Sequence, residues 1–263
     1  MTLIQSLILA VVEGATEYLP ISSTGHIILA SWAMAIHQEE FVKDFTVMVQ
    51  FGAILAVVAL YWRRFVLNYR IYPQVFIAFL PAAVLGLLVK DHIDALLGSV
   101  WVVGWSLLIG GVLLVLTDHW LRRHKARLAT VEALPLPSAL KIGLFQTLAF
   151  IPGVSRAAAS IWGGLYQGMS LPLATEFSFF LAVPTLTGAT FLKLIKVWPT
   201  LTSGQISMLA WGNLVSFVVG GLAIKFFVAL VSRYGLGFFG YYRILLGGVV
   251  LVTLSLGHEV QLI

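Results

Sequence analysis

The sequence predicts an all-α integral membrane protein with six transmembrane helices and two re-entrant helix-turn-helix hairpins arranged as an inverted repeat. Three observations predict it: an apolar composition throughout, six apolar runs of bilayer length, and two polar, proline-broken segments at matching places in the halves. Of 263 residues, 60% are hydrophobic and 10% charged, and the mean hydropathy of +0.98 is far above that of a water-soluble domain. The runs Phe45 to Tyr61, Val75 to Val89, Val100 to Leu116, Phe177 to Leu192, Ile206 to Ile224 and Phe238 to Leu256 each approach the length a hydrocarbon core requires. Outer-membrane barrels show short alternating segments instead. Cysteine is absent, which excludes disulfides, thiolate metal sites and cysteine nucleophiles. Met1 to Ala10 lack a basic leading region and Glu13 interrupts the apolar stretch, so a cleavable signal peptide is not expected. The net charge of +5 reads as a topological bias toward one membrane face, with no implication of a nucleic-acid partner.

The chain divides near its middle, where Arg122, Arg123, Lys125 and Arg127 are followed by Thr130, Glu132, Pro135 and Pro137. Residues 1–121 form a first repeat, with a hairpin at 3–35 and three spans. Residues 122–138 form a linker, and 139–263 a second repeat, with a hairpin at 139–167 and three spans. Together they make one membrane domain. The halves share a register: Pro20 with Pro152, Ser23 with Ser155, Asp44 with Glu176, Phe45 with Phe177 and Arg64 with Lys196 are all 132 apart (152−20, 155−23, 176−44, 177−45, 196−64). Three spans per half invert the second copy relative to the first. Arg63, Arg64, Arg70, Arg122, Arg123, Lys125, Arg127, Lys141, Lys225 and Arg233 then fall on the cytoplasmic side, against Lys43, Lys90, Lys193 and Lys196 outside. This asymmetry places both termini outside.

Neither broken segment is a clean span. Leu3 to Leu19 is helical in pattern, but Pro20 lacks a backbone donor and Ser22-Ser23-Thr24-Gly25 favours a turn and a new helix start. Leu144 to Ile151 runs into Pro152-Gly153, and Ser155 is placed to cap the helix that follows. Non-helical backbone at membrane depth survives only where protein or a watered cavity surrounds it, so the two tips are expected to meet near the midplane.

These segments also hold the groups that carry chemistry. Glu13 and Glu17, four apart on one helix face, would project together. Ionised side chains at bilayer depth normally face a functional cavity, and paired carboxylates suit Mg2+ or Ca2+ when phosphate oxygens complete the shell. The plainer alternative is a solvated pair at the membrane edge. Ser22, Ser23, Thr24, Gly25 and His26 stand at a new helix N-terminus, an anion-binding end, although a Ser/Thr run there is more often an ordinary cap. His26, three residues beyond Ser23, is a candidate acid, base or nucleophile. Ser155 and Arg156 occupy the matching point of the second segment. The planar Arg156 guanidinium suits phosphate bidentately, or a structural ion pair with Glu13 or Glu17. Glu176 and Arg243 read as interfacial anchors or a mutual ion pair, Gln50 and Gln146 as packing, and His37, His92, His119, His124 and His258 as bystanders at loops and span ends.

The run Glu13-Gly14-Ala15-Thr16-Glu17-Tyr18-Leu19-Pro20-Ile21-Ser22-Ser23-Thr24-Gly25-His26 closely resembles the EGxTE[FY]LPxSSTGH signature of the undecaprenyl-diphosphate phosphatase, or bacitracin-resistance, family. Pro152-Gly153-Val154-Ser155-Arg156 resembles its second motif, PGxSRS, and Glu176 to Pro184 and Tyr242-Arg243 also match. The resemblance implies a metal-dependent enzyme of the bacterial inner membrane that hydrolyses undecaprenyl diphosphate to undecaprenyl phosphate and inorganic phosphate, recycling the cell-wall lipid carrier. It implies an active site open to the periplasmic side. It also implies catalytic roles for Glu13, Glu17, Ser23, His26 and Arg156; the helix starts add Ser22, Thr24, Gly25, Ser155 and Ser160 as expected phosphate contacts. The chain departs from the pattern after the arginine, where Ala157-Ala158 and Ser160 stand for the family's Ser-Gly and Thr. The expected partners are a polyprenyl diphosphate and membrane lipids. Oligomeric state, a homodimer included, is left open. The alternative from another class is a lipid-phosphate or anion transporter without hydrolysis, since inverted repeats and midplane helix ends serve transporters too.

Overall fold

A computed structural model describes residues 1–89, 99–121, 123 and 126–256. Lys90, His92, Arg122, His124, Lys125 and His258 lie outside the described residues. Among the described residues the chain is helical, with one isolated bridge between Leu128 and Met169. Six helical stretches are long and apolar enough to cross a membrane: Glu40–Leu60, Tyr69–Leu88, Val100–Leu121, Leu171–Thr200, Ser203–Tyr234 and Gly237–Ser255. Each contains one of the predicted apolar runs to within a residue or two at its ends.

In chain order, α1 (Leu3–Thr16) starts in a capping box between Thr2 and Gln5. It ends before Pro20, three residues earlier than the helical pattern predicts. Then α2 (Ser23–Ala33) leads to α3 (Glu40–Met48) and α4 (Gln50–Leu60), which together make the first span. After α5 (Trp62–Leu67) come α6 (Tyr72–Leu88), with Pro81 in its interior, and α7 (Val100–Leu121). The second half opens with α8 (Leu136–Gln146), which starts further upstream than Ala139 and tightens into a 3-10 turn at Thr147–Phe150. It continues through α9 (Arg156–Tyr166), α10 (Leu171–Val197, with Pro184 inside), α11 (Ser203–Tyr234) and α12 (Gly237–Ser255).

The broken helices are too short to cross: α1 has 14 residues and α8 has 11, against the ~20 a hydrocarbon core demands. Each packs along a span of the other half, α1 on α11 and α8 on α6. These contacts are backbone-close. A Cβ on Gly14 would sit 2.8 Å from the Ser216 carbonyl, and one on Gly143 would sit 2.2 Å from that of Ala78. Charged pairs cross between halves as well. Lys193 Nζ lies 2.5 Å from Asp44 Oδ1, and Arg64 Nε lies 3.2 Å from Glu176 Oε1. Glu176 therefore pairs with Arg64, and the expected pairing of Glu176 with Arg243 is corrected. The core between these elements is mainly aromatic and aliphatic, with Phe177, Phe179, Phe180, Phe227 and Phe239 almost fully buried. Edge-to-face contacts link Phe179 to Phe227 and Phe227 to Phe239.

Candidate active site

Both breaks fold in the same way. Ser22 (φ 72°) and Ser155 (φ 74°) each hold the positive-φ conformation that residues with a Cβ rarely adopt. Each caps the following helix, its hydroxyl accepting at 3.3 Å from the N–H three residues on, Gly25 in one case and Ala158 in the other. The matching caps are thus one residue off the sequence register, which pairs Ser23 with Ser155. The second break holds one more residue between proline and cap. Arg156, first in α9, takes the place that Ser23 takes in α2.

The two tips meet. The Ser155 hydroxyl reaches the Leu19 carbonyl at 3.5 Å, and Arg243 joins both breaks from α12. It is fully buried and directs its N–H groups at backbone carbonyls: Nη1 to Pro20 (3.1 Å) and Val154 (3.0 Å), Nη2 to Gly153 (2.7 Å) and Ser106 (2.9 Å), and Nε to Leu107 (3.5 Å). Five backbone acceptors replace water around this cation, which is how a buried guanidinium is tolerated without a carboxylate. Gly110 leaves it room, since a Cβ there would fall 2.2 Å from Nη2.

Between the tips lies a cavity of about 220 Å³, lined by Glu17, Ser22, Ser23, Thr24, Ser155 and Arg156 on the motif side and by Gln50, Gln146 and Thr185 opposite. Ala82, Phe150 and Leu186 supply apolar wall. Glu17 is its centre. One carboxylate oxygen accepts from the Ser23 hydroxyl at 2.7 Å, and the other from Arg156 Nε at 3.2 Å and Nη2 at 3.1 Å. Arg156 Nη1 donates to the Ser178 carbonyl at 3.0 Å. Three of the five guanidinium N–H groups are thereby committed, leaving two for a guest. The structural ion pair with Glu17 is present, and the same side chain lines the cavity.

The other expected residues divide. Thr24 lines the cavity with Ser22 and Ser23. Glu13 is fully buried behind Glu17, outside the lining, and neither of its carboxylate oxygens has a hydrogen-bond partner. His26 is outside the lining too, stacked on Tyr242. Two residues expected to contact phosphate are engaged elsewhere. Gly25 is buried and spends its N–H on Ser22. Ser160 is buried outside the cavity lining, where its hydroxyl meets Ser178 Oγ at 2.7 Å and the Arg156 carbonyl at 2.9 Å. A larger cavity, about 860 Å³, opens near Asp118, Arg127, Tyr166 and Arg233. It contains none of the motif residues, so the chemistry is assigned to the smaller one.

A family model for the bacitracin resistance protein BacA matches residues 6–249. The chain belongs to the BacA family. It is 50% identical over its full length, and over the full length of the relative, to an undecaprenyl-diphosphatase of Bdellovibrio bacteriovorus. It is 47% identical, again over the whole of both chains, to one of Flavobacterium johnsoniae. A more distant relative, an undecaprenyl-diphosphatase of Aquifex aeolicus, is 40% identical over 94% of this chain and 96% of its own.

Set against this BacA-family frame, sequence reasoning missed two features of the site. Arg243 was assigned to the interface although it ties the two breaks together. Its partners are carbonyls, which leave no trace in a pattern of residue types. Gln146, expected to pack and hydrogen-bond within the bundle, does so, 2% exposed and donating to Thr185 Oγ1 at 3.2 Å, and it also lines the cavity. The Thr185 hydroxyl gives its own hydrogen to the Leu181 carbonyl, so Thr185 can only accept and the Gln146 carbonyl oxygen is left unpartnered. Gln146 directly precedes the Thr147–Phe150 turn and stands six residues before Pro152, but a lone glutamine in an apolar segment does not distinguish packing from lining.

Proposed function

We propose that this protein is an integral membrane undecaprenyl-diphosphate phosphatase, releasing inorganic phosphate and undecaprenyl phosphate. One observation supports it above the rest: the Glu17 carboxylate is shared between the Ser23 hydroxyl and the Arg156 guanidinium in a cavity lined by both breaks. A hydroxyl donating to a carboxylate is a nucleophile with its base, and an adjacent arginine with free N–H groups is a seat for a phosphoryl group. In this reading the terminal phosphate rests on Arg156 and the N-terminal ends of α2 and α9. Glu17 takes the Ser23 proton, the Ser23 oxygen attacks the terminal phosphorus, and the bridging P–O bond breaks to free undecaprenyl phosphate. Water then hydrolyses the phosphoserine. Arg156 and the helix ends offset the negative charge that accumulates on the transferred group.

Glu13, with both oxygens unpartnered, and Glu17 one turn on are a donor set that fits a hard divalent cation, Mg2+ or Ca2+, completed by waters and substrate oxygens. Among the described residues no third acidic or histidine side chain joins them. When bound, such an ion would supply positive charge to the diphosphate oxygens.

The same reading takes the breaks as tips of two re-entrant hairpins in an inverted repeat. The reciprocal packing of α1 on α11 and α8 on α6, and the reciprocal Asp44–Lys193 and Glu176–Arg64 pairs, support it. The bias of basic residues supports both termini lying on the outer face of the bacterial inner membrane, and the family resemblance supports a cavity mouth on the same face. Because the chain has no cysteine, single cysteines near Thr2 and Arg127 labelled from either side of intact cells test the orientation. Label is expected from outside at Thr2 and only after permeabilisation at Arg127. The activity is tested by purifying the protein in detergent, supplying undecaprenyl diphosphate and measuring inorganic phosphate. Steady release is expected, and substrate bound without release would favour a carrier.

A further inference from the structure

The motif histidine makes contacts that a free acid or base would not. His26 Nδ1 lies 2.7 Å from the Ser22 carbonyl, which can only accept, so Nδ1 carries the hydrogen. In the neutral ring Nε2 is then the acceptor, and the Tyr242 hydroxyl, 2.7 Å away, donates to it. The two rings stack at 5.6 Å and 8°. Both nitrogens are satisfied, the tautomer is fixed, and the ring is outside the cavity lining. What the ring holds is the carbonyl of a residue at φ 72°, ψ 94°, a conformation that persists only where its surroundings over-determine it. The two residues after that carbonyl, Ser23 and Thr24, line the cavity.

We propose that His26 is a positioning residue, fixed by Tyr242 so that its Nδ1–H clamps the Ser22 carbonyl and with it the turn that aims Ser23 at the substrate. Tyr242 is the second member of this clamp, a role that its place beside Arg243 on α12 makes possible: consecutive residues of one helix brace the first break, one through a side chain and one through the backbone. The inference rests on the cavity being the hydrolytic site.

Substitution separates a clamp from an acid or base. Asparagine places an amide N–H where Nδ1 stood but cannot titrate. Phosphate release from undecaprenyl diphosphate is measured for the wild type, His26→Asn, His26→Ala and Tyr242→Phe, with detergent melting temperatures as a fold check. The wild-type rate tests the functional reading on its own, and the variants test the clamp only against it. His26→Asn is expected to keep kcat within about fivefold with an unchanged pH–rate profile. His26→Ala is expected to lose about thirtyfold or more in kcat with little change in KM, and Tyr242→Phe about three- to tenfold, as fits the loss of single hydrogen bonds. Equal inactivation by Asn and Ala in folded protein, or the disappearance of one limb of the pH profile in His26→Asn, would overturn the proposal. So would full activity of His26→Ala. Should His26→Ala fail to fold, His26→Gln replaces it, since its amide reaches the Nε2 position and cannot hold the Ser22 carbonyl.

Discussion

The two breaks share a cap and a backbone twist but are braced differently. At the first, Arg243 binds the Pro20 carbonyl, and the strained serine is held in addition by a side chain from its own helix, His26, itself held by Tyr242. At the second, the position four residues past the cap is Ala159, and bracing comes from outside. Arg243 binds the carbonyls of Gly153 and Val154, and Arg156 is tied to Glu17 and the Ser178 carbonyl. The first break therefore presents a hydroxyl and the second presents a cation, and Glu17 joins them. An anion site assembled from two helix starts needs both ends fixed before substrate arrives, because every degree of freedom left in the tips subtracts from transition-state stabilisation.

If the breaks are unequal in this sense, removing each serine should give unequal results. Ser23→Ala deletes the proposed attacking oxygen and is expected to lower kcat by about a thousandfold or more, and labelled substrate should no longer leave phosphate on the protein. Ser155→Ala deletes a cap and a tip contact, with an expected loss of about tenfold in kcat and ~1 kcal/mol in stability. Comparable losses from both would make the breaks chemically equivalent and remove the distinction.

Arg243 is where the breaks are coupled, and its removal should damage both. Arg243→Gln leaves several buried carbonyls without donors and is expected to cost about 3 kcal/mol or more, read as a fall in melting temperature in detergent. Gly110→Ala should reproduce much of that loss without touching the charge, because its methyl group would occupy the space of Nη2. Normal stability in Gly110→Ala would show that the arginine is not packed as tightly as described.

Metal dependence sharpens the role of the first break alone. Stripping with chelator is expected to lower turnover at least tenfold, with Mg2+ or Ca2+ restoring it. Glu13→Gln should weaken the response to added ion, whereas Ser155→Ala should leave it unaltered. The smallest effect is expected at Ser160, which is outside the cavity lining with its hydroxyl bonded to Ser178: Ser160→Ala should change kcat by no more than about threefold, and a larger loss would place its hydroxyl on the substrate.

Much of this architecture is written in the sequence in a legible form. Hydropathy reports the six spans because lipid-facing helices must be apolar along their whole length. Pro20 and Pro152 report the breaks because a missing N–H interrupts a helix wherever it stands. The capping serines are one residue off the proline register for a physical reason: Pro20 is two residues before its cap and Pro152 is three before its own. Aligning prolines therefore misaligns the serines that do the capping. Glu17, Ser23 and Arg156 were legible because charge and hydroxyl at membrane depth need a cause. Arg243, Tyr242 and the orientation of His26 were not, since each is defined by a partner far along the chain or by a backbone carbonyl, and neither changes the local pattern.

The account stands or falls on Glu17 as the shared acceptor of Ser23 and Arg156. The most direct measurement is phosphate release from undecaprenyl diphosphate by Glu17→Gln in detergent, alongside a melting curve that shows the protein folded. A rate about a thousandfold or more below wild type is predicted. Release near the wild-type rate from folded Glu17→Gln would contradict the assignment of hydrolysis to this cavity.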